Sequence, residues 1–198
     1  MKYSYPSEKM QNKIKSMIEE SAEVKKLILS LSPQIEEATN LVINAIKNNK
    51  KIFLAGNGGS ASQASHIAAE FVGRYKIERK GLPAIALTSD LSAITAIGND
   101  YGFESIFERQ LEALGNDGDV FIALSTSGNS KNLIKAVETS KKMSINVIGL
   151  LGKDGGKMKG TSDVEIIVPS DNTPRIQEAH LMILHIICEL VDEKIFGN

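Results

Sequence analysis

The sequence has a single cysteine, Cys188, and no long uninterrupted apolar run. One cysteine excludes an internal disulfide, and it fits a reducing compartment. The first residues lack the apolar core of a secretory signal peptide. The most apolar stretch, residues 181–191, is interrupted by His185 and Glu189, and it is shorter than the ~20 residues that a membrane span needs. We therefore expect a cytoplasmic protein that does not enter a membrane.

An excess of charge of either sign is also missing. The 198 residues carry a formal net charge of −1, so no basic field attracts nucleic acid or an anionic membrane surface. Hydrophobic residues make up 42% of the chain and charged residues 24%, which is typical of a globular protein. The length suits one compact domain with its own core, so we predict a single domain over residues 1–198.

The first fifty residues show the spacing of an amphipathic helix, with apolar side chains such as Ile14 and Met17 on one face. Ser32 followed by Pro33 is typical of a helix N-cap and a first-turn proline, so a second helix is expected to begin there. These features predict a helical segment over residues 1–50.

After residue 50 the pattern changes to short apolar runs separated by helical stretches. The runs predict five buried strands, at residues 51–55, 83–87, 119–124, 145–150 and 163–168. Residues 103–114 and 131–143 have helical character, and a final helix is predicted over residues 174–196. This alternation predicts an α/β fold for residues 51–198, with a mostly parallel five-stranded sheet flanked by helices. Ligands of such sheets bind at the carboxyl ends of the strands.

The first predicted strand leads into a glycine loop, residues 56–60 with the sequence GNGGS, and then into a helix. Glycines allow the backbone to approach a ligand closely, and a helix N-terminus offers free N–H groups to an anion. Gly56, Gly58 and Ala61 also fit a dinucleotide fingerprint. That fingerprint needs an acidic residue at a strand end about 20 residues later, whereas Glu78 lies in a charged segment. A tight turn without a ligand is the third interpretation.

The third predicted strand leads into a serine loop, residues 125–130 with the sequence STSGNS, directly before a helix. Hydroxyl donors combined with helix N–H groups form a good cradle for a phosphate. Helix capping is the alternative, but one serine would suffice for that role. The loop lacks the lysine of a nucleotide-binding P-loop. The pattern therefore favours binding of a phosphate other than a nucleotide's.

Polar side chains occur on two otherwise apolar helices. His66 and Glu70 are four residues apart and share one helix face, while Gln177 and His185 lie eight residues apart in the last helix. Buried polar groups need partners, so each could be a satisfied core side chain, and His180 is the best example of that interpretation. Imidazole and carboxylate together also form a plausible zinc site, although an amide ligand such as Gln177 is unusual.

Taken together, the motifs resemble those of phosphoheptose isomerases, which belong to the sugar isomerase (SIS) domain superfamily. The motifs are Ala55-Gly56-Asn57-Gly58-Gly59-Ser60, His66-x-x-x-Glu70, Gly73-Arg74-Tyr75, Gly98-Asn99-Asp100, Ser125-Thr126-Ser127-Gly128-Asn129-Ser130, Gly152-Lys153-Asp154-Gly155-Gly156 and Arg175-Ile176-Gln177-Glu178-x-His180. The resemblance runs from about residue 51 to residue 191, and the N-terminal helices match only in character.

The resemblance implies a flavodoxin-like SIS fold and a homotetramer with active sites between subunits. It implies conversion of sedoheptulose 7-phosphate to D-glycero-D-manno-heptose 7-phosphate, the first step towards the heptose of lipopolysaccharide or other surface glycans. By position, Glu70 and His185 match the catalytic pair. The family's zinc ligands, one ion per subunit, match His66, Glu70, Gln177 and His185. Its substrate-binding positions match Asn57, Gly58, Gly59, Ser60, Glu70, Arg74, Asn99, Asp100, Ser125, Thr126, Ser127, Ser130 and Gln177.

Two other kinds of SIS protein offer alternatives. Proteins that associate with a replication initiator share the fold and the glycine loop but lack the acid–base residues. The presence of both Glu70 and His185 therefore favours an enzyme. Sugar-phosphate-sensing regulators usually carry an additional module, for which this chain has no length to spare. An aldose–ketose isomerisation needs no redox cofactor, which disfavours the dinucleotide interpretation of the glycine loop.

Overall fold

The computed structural model describes residues 8–197. Its helices are α1 Glu8–Leu27, α2 Ser32–Lys47, α3 Gly59–Val72, α4 Leu91–Tyr101, α5 Glu108–Leu114, α6 Lys131–Lys142 and α7 Thr173–Phe196. Short 3-10 turns lie at Ile28–Leu31, Phe103–Ser105 and Gly156–Met158. The strands are β1 Ile52–Gly56, β2 Ala84–Ala86, β3 Val120–Ser125, β4 Asn146–Gly152 and β5 Val164–Val168. Residues 1–7 of the predicted helical segment lie outside the described residues.

The five strands form one sheet in the order β2-β1-β3-β4-β5, and every neighbouring pair is parallel. This is the flavodoxin-like order, and it confirms the predicted α/β fold. From β1 the chain adds β2 on one side, and it then crosses to the other side to add β3. The carboxyl ends of β1 and β3 therefore flank the switch point of the sheet, where ligands of such folds bind. The glycine loop and the serine loop leave the sheet at these two ends.

The sheet separates two hydrophobic clusters, one on each face. One cluster gathers apolar side chains of α2, α3 and α7, such as Val42, Phe71 and Ile183. The other gathers those of α5 and α6, such as Leu111 and Leu133. Every residue of β1 and β3 is buried because helices cover both faces. This is why those strands appear in the sequence as continuous apolar runs instead of alternating ones.

Two details of the sequence prediction are wrong. The stretch 103–114 is not one helix, because Phe103–Ser105 forms a separate 3-10 turn and α5 begins only at Glu108. Ser32 is the first residue of α2 and not its N-cap, since its hydroxyl donates to the Leu29 carbonyl 2.7 Å away. The 3-10 turn before α2 supplies that carbonyl. Pro33 occupies the first turn, as predicted.

Helix α4 was not predicted. It begins after Asp90, whose side chain accepts a hydrogen bond from the Ala93 N–H, and it ends before Gly102. None of its residues is fully buried, but Ile94 and Ile97, one turn apart, pack partly buried against the cluster of α5 and α6.

Helix α1 leaves most of its apolar side chains in solvent. Val24 is the buried residue of this helix, whereas Ile14 and Ile18 are 51% and 64% exposed. Polar contacts tie the helix to α7, including a 2.6 Å hydrogen bond from the Ser21 hydroxyl to the Glu178 carboxylate. Among residues 8–197, no helix combines the length and the apolar character needed to cross a membrane.

Candidate functional site

Helices α3 and α7 bring together three of the predicted site residues. His66 Nε2 lies 3.1 Å from Glu70 Oε1 and 3.3 Å from His185 Nε2. One ligand atom from each of the three side chains falls within 4.8 Å of the others. Two imidazole nitrogens and one carboxylate oxygen suit a metal such as zinc. The predicted convergence of the two helices is therefore confirmed for these three residues, which could hold a metal ion.

Two aromatic rings hold the His185 imidazole in place. Tyr75 stacks on it with the ring centroids 5.7 Å apart, and His66 meets it edge-on with the centroids 5.2 Å apart. Burial lowers the pKa of His185, and the neighbouring His66 lowers it further, while Glu70 raises it. The neutral imidazole is thereby favoured, and this is the form that accepts a proton or binds a metal. Tyr75 belongs to a motif that was recognised, but its contact with His185 was not predicted.

Gln177 lies two turns before His185 on α7, about 12 Å along the helix axis. Its side chain packs on the glycine loop, where Nε2 is 3.5 Å from the Ser60 hydroxyl. A Cβ on Gly59 would stand 2.8 Å from the same nitrogen, so a larger residue there would push the Gln177 amide aside. The Gln63 amide donates to the Gln177 carbonyl oxygen at 2.7 Å. These contacts join Gln177 to the start of α3, and its role as a fourth metal ligand stays a prediction.

The glycine loop turns sharply between β1 and α3. A Cβ on Gly56 would lie 2.7 Å from the Ser60 backbone, and Gly58 has a φ of +55°, so both positions favour glycine. Asn57 exchanges two side-chain hydrogen bonds with Asn132 of α6, at 2.8 and 3.0 Å. This amide pair links the loops after β1 and β3 across the switch point. A cavity of about 170 Å³ lies beside the loop and is lined in part by Asn57 and Gly58.

The hydroxyls of the serine loop gather at the start of α6. The Ser125 hydroxyl accepts a hydrogen bond from the Gly128 N–H at 3.1 Å and lies 3.3 Å from the Ser130 hydroxyl. Ser130 occupies the N-cap position, yet its side chain makes no capping hydrogen bond. Simple helix capping therefore does not explain the serines, whereas the phosphate interpretation needs such hydroxyls beside the helix N-terminus.

The other predicted substrate positions lie on separate elements. Arg74 follows α3, is exposed, and has its Nε 3.4 Å from the Glu78 carboxylate. Asn99 and Asp100 are exposed on α4, where the Asn99 amide donates to the Asp100 carboxylate at 2.8 Å. Their contacts with substrate stay predictions, as do those of the glycine-loop and serine-loop residues.

His180 is a core side chain, as the sequence suggested. It is fully buried, and its Nε2 lies 2.9 Å from the Leu151 carbonyl oxygen. Burial lowers its pKa to about 4, so the imidazole is neutral inside the protein.

Comparison with known proteins places this geometry in context. Residues 17–152 match the SIS domain family. The phosphoheptose isomerase of Sulfurimonas denitrificans is 51% identical over 192 residues, which cover 96% of this chain and 98% of that protein. The phosphoheptose isomerase of Nitratiruptor sp. is 56% identical over 179 residues, covering 90% and 96%. The solved phosphoheptose isomerase of Francisella tularensis superposes with a TM-score of 0.90 at 38% identity, covering 92% of this chain and 98% of that one.

Proposed function

This chain belongs to the phosphoheptose isomerase family, and we propose that it interconverts sedoheptulose 7-phosphate and D-glycero-D-manno-heptose 7-phosphate. The convergence of Glu70 and His185 carries the proposal, because it places a carboxylate and an imidazole at one point between two helices. A protein that only binds a replication initiator has no need of this pair. The reaction would take place in the cytoplasm and supply the heptose of lipopolysaccharide or other surface glycans.

The isomerisation moves a proton between two neighbouring carbons while the carbonyl moves the other way. The Glu70 carboxylate takes the proton from C1 of the ketose and returns it to C2 of the resulting enediol. The neutral His185 imidazole takes the proton from the oxygen on C1 and delivers it to the oxygen on C2. The serine loop holds the phosphate away from these carbons, so that binding energy orients them.

A zinc ion fits the donor set of His66, Glu70 and His185, with Gln177 proposed as the fourth ligand. Zinc bound there would polarise the substrate oxygens and stabilise the negative charge that develops on them. We expect His66→Ala to lower both the zinc content and the activity, because it removes one imidazole ligand. Ser62→Ala, an exposed position on the same helix, is the matched control. Elemental analysis measures the zinc content of the two variants, and an isomerase assay measures their activity. Full zinc content together with full activity in His66→Ala would contradict this metal site.

The phosphate is proposed to lie on Ser125, Thr126, Ser127 and Ser130. We expect the double variant Ser125→Ala/Ser130→Ala to raise KM by about 10-fold or more, because hydrogen bonds to a charged group are lost. Steady-state kinetics with the sugar phosphate measures this change. An unchanged KM would place the phosphate elsewhere, with the Gly58–Gly59 backbone as the next candidate.

A homotetramer with active sites at subunit interfaces is proposed as the assembled form. The support is the apolar side of α1, including Ile14, Met17 and Ile18, which is exposed among residues 8–197 of a single chain. We expect light scattering to report four times the mass of one chain at micromolar concentration. A monomer under those conditions would contradict the assembly.

A further inference from the structure

The serine loop packs against the turn that follows β4. This turn, residues 155–158, is called the glycine turn below. The Met158 N–H donates to the Gly128 carbonyl oxygen at 3.0 Å, which fixes the middle of the serine loop. The Met158 side chain is fully buried in the hydrophobic cluster beneath α5 and α6. The glycine turn is therefore anchored in the core and cannot easily move away from the serine loop.

A second contact runs through Asn129. The Lys157 N–H donates to Asn129 Oδ1 at 3.2 Å, and Asn129 Nδ2 donates to the Ser127 carbonyl oxygen at 2.8 Å. The Ser127 hydroxyl accepts the Asn129 N–H at 3.2 Å. The glycine turn thus orients the Asn129 amide, and that amide orients the backbone and hydroxyl of Ser127.

The two segments touch backbone to backbone, and glycines make this approach possible. A Cβ on Gly128 would overlap the Gly155 carbonyl oxygen. A Cβ on Gly156 would overlap the Ser127 carbonyl oxygen and lie 2.6 Å from Asn129 Nδ2. Each of the three glycines has a positive φ, between +55° and +85°. Any side chain at residue 156 must therefore displace the serine loop.

We propose that the glycine turn is a positioning element for phosphate binding, with Gly156 and Asn129 as its positioning residues. It supports the serine loop from behind and presets the hydroxyls and N–H groups that receive the phosphate. A loop that is already ordered loses less entropy when it binds its ligand. This inference rests on the proposed placement of the phosphate on the serine loop. It assigns a role to the end of the Gly152–Gly156 motif, which takes no part in the proton transfers proposed for Glu70 and His185.

The test compares Gly156→Ala with Gly160→Ala. Both glycines have a positive φ, +55° and +76°, so both variants carry the strain of a left-handed alanine. No heavy atom lies within 4 Å of where a Cβ on Gly160 would stand, whereas Gly156 faces the serine loop. We expect Gly156→Ala to raise both the KM for the sugar phosphate and the Kd for inorganic phosphate by about 10-fold, with kcat changed less than about 3-fold. Gly160→Ala should leave all three constants within about 2-fold.

Asn129→Ala keeps every glycine and removes the two side-chain hydrogen bonds that run from the Lys157 N–H through the amide to the Ser127 carbonyl, so it provides the test if Gly156→Ala does not fold. It should raise the Kd for inorganic phosphate by about 3-fold or more. Isothermal titration with inorganic phosphate measures this constant for each variant and for the parent.

Three results would overturn the inference. Equal losses in Gly156→Ala and Gly160→Ala would attribute the effect to backbone strain. A higher phosphate Kd in Ser125→Ala/Ser130→Ala, with parental values in Gly156→Ala and Asn129→Ala, would refute the positioning role and leave the phosphate site in place. Parental values in all of these variants would refute the phosphate placement as well.

Discussion

Replacing Glu70 by glutamine, or His185 by asparagine, is expected to lower kcat by about 10²–10⁴-fold, the usual effect of removing a general acid or base. Glu70 and His185 lie at the junction of α3 and α7, with His66 beside both. Each substitution keeps the approximate shape of the side chain and removes its ability to exchange a proton. The variants should therefore stay folded and still bind the sugar phosphate.

Zinc content must be measured in both variants, because these residues are also proposed metal ligands. The two losses need not add, since the groups act as one unit. Glu189→Gln is a matched control one turn further along α7, where Glu189 pairs with Lys76 at the surface. Its kcat should stay close to that of the parent. Parental turnover in both Glu70→Gln and His185→Asn would show that these two residues are not the acid–base pair.

Replacing Asp192 by alanine is expected to lower the free energy of unfolding by about 3–5 kcal/mol, because it leaves a buried guanidinium without its counter-charge. Asp192 Oδ1 lies 2.6 Å from Arg79 Nε, and the two side chains are 1% and 2% exposed. Arg79 also donates to the carbonyl oxygens of Glu70 and Phe71, at 3.0 and 2.9 Å. The pair therefore joins the end of α3 to α7, the two helices that carry Glu70 and His185.

The same control, Glu189→Gln, removes the neighbouring ion pair with Lys76, which is partly exposed. It should cost less than about 1 kcal/mol. Urea unfolding at one fixed protein concentration compares the variants, since assembly makes stability depend on concentration. A loss in Asp192→Ala no larger than in Glu189→Gln would show that the buried pair contributes little to holding the two helices.

The centre of the sheet could be predicted from the sequence because β1 and β3 are covered on both faces and appear as continuous apolar runs, whereas burial alternates along the edge strands β2 and β5. The contact between His66 and Glu70 could be predicted because residues four apart on one helix lie on the same face. Helix α4 was missed because its core-facing side is short and only partly buried, with Ile94 and Ile97 as its larger apolar residues. Asp90, a residue type that often caps a helix N-terminus, was a further sign in the sequence that a helix begins there.

Polar contacts between residues far apart in the chain could not be predicted from local sequence patterns. Asn57 and Asn132 are 75 residues apart, and Arg79 and Asp192 are 113 residues apart. Their contacts depend on the strand order and on how α7 crosses α3, which no single segment specifies. The stacking of Tyr75 on His185 depends on the same crossing. Such contacts emerge only when the elements are assembled.

Turnover of sedoheptulose 7-phosphate by the purified protein, with zinc supplied and metal content measured, tests the central claim most directly. We expect the aldose product, D-glycero-D-manno-heptose 7-phosphate, to form with the parent, and its rate to fall by at least about 10²-fold in Glu70→Gln. Absence of turnover in a folded, zinc-loaded parent would contradict the isomerase function.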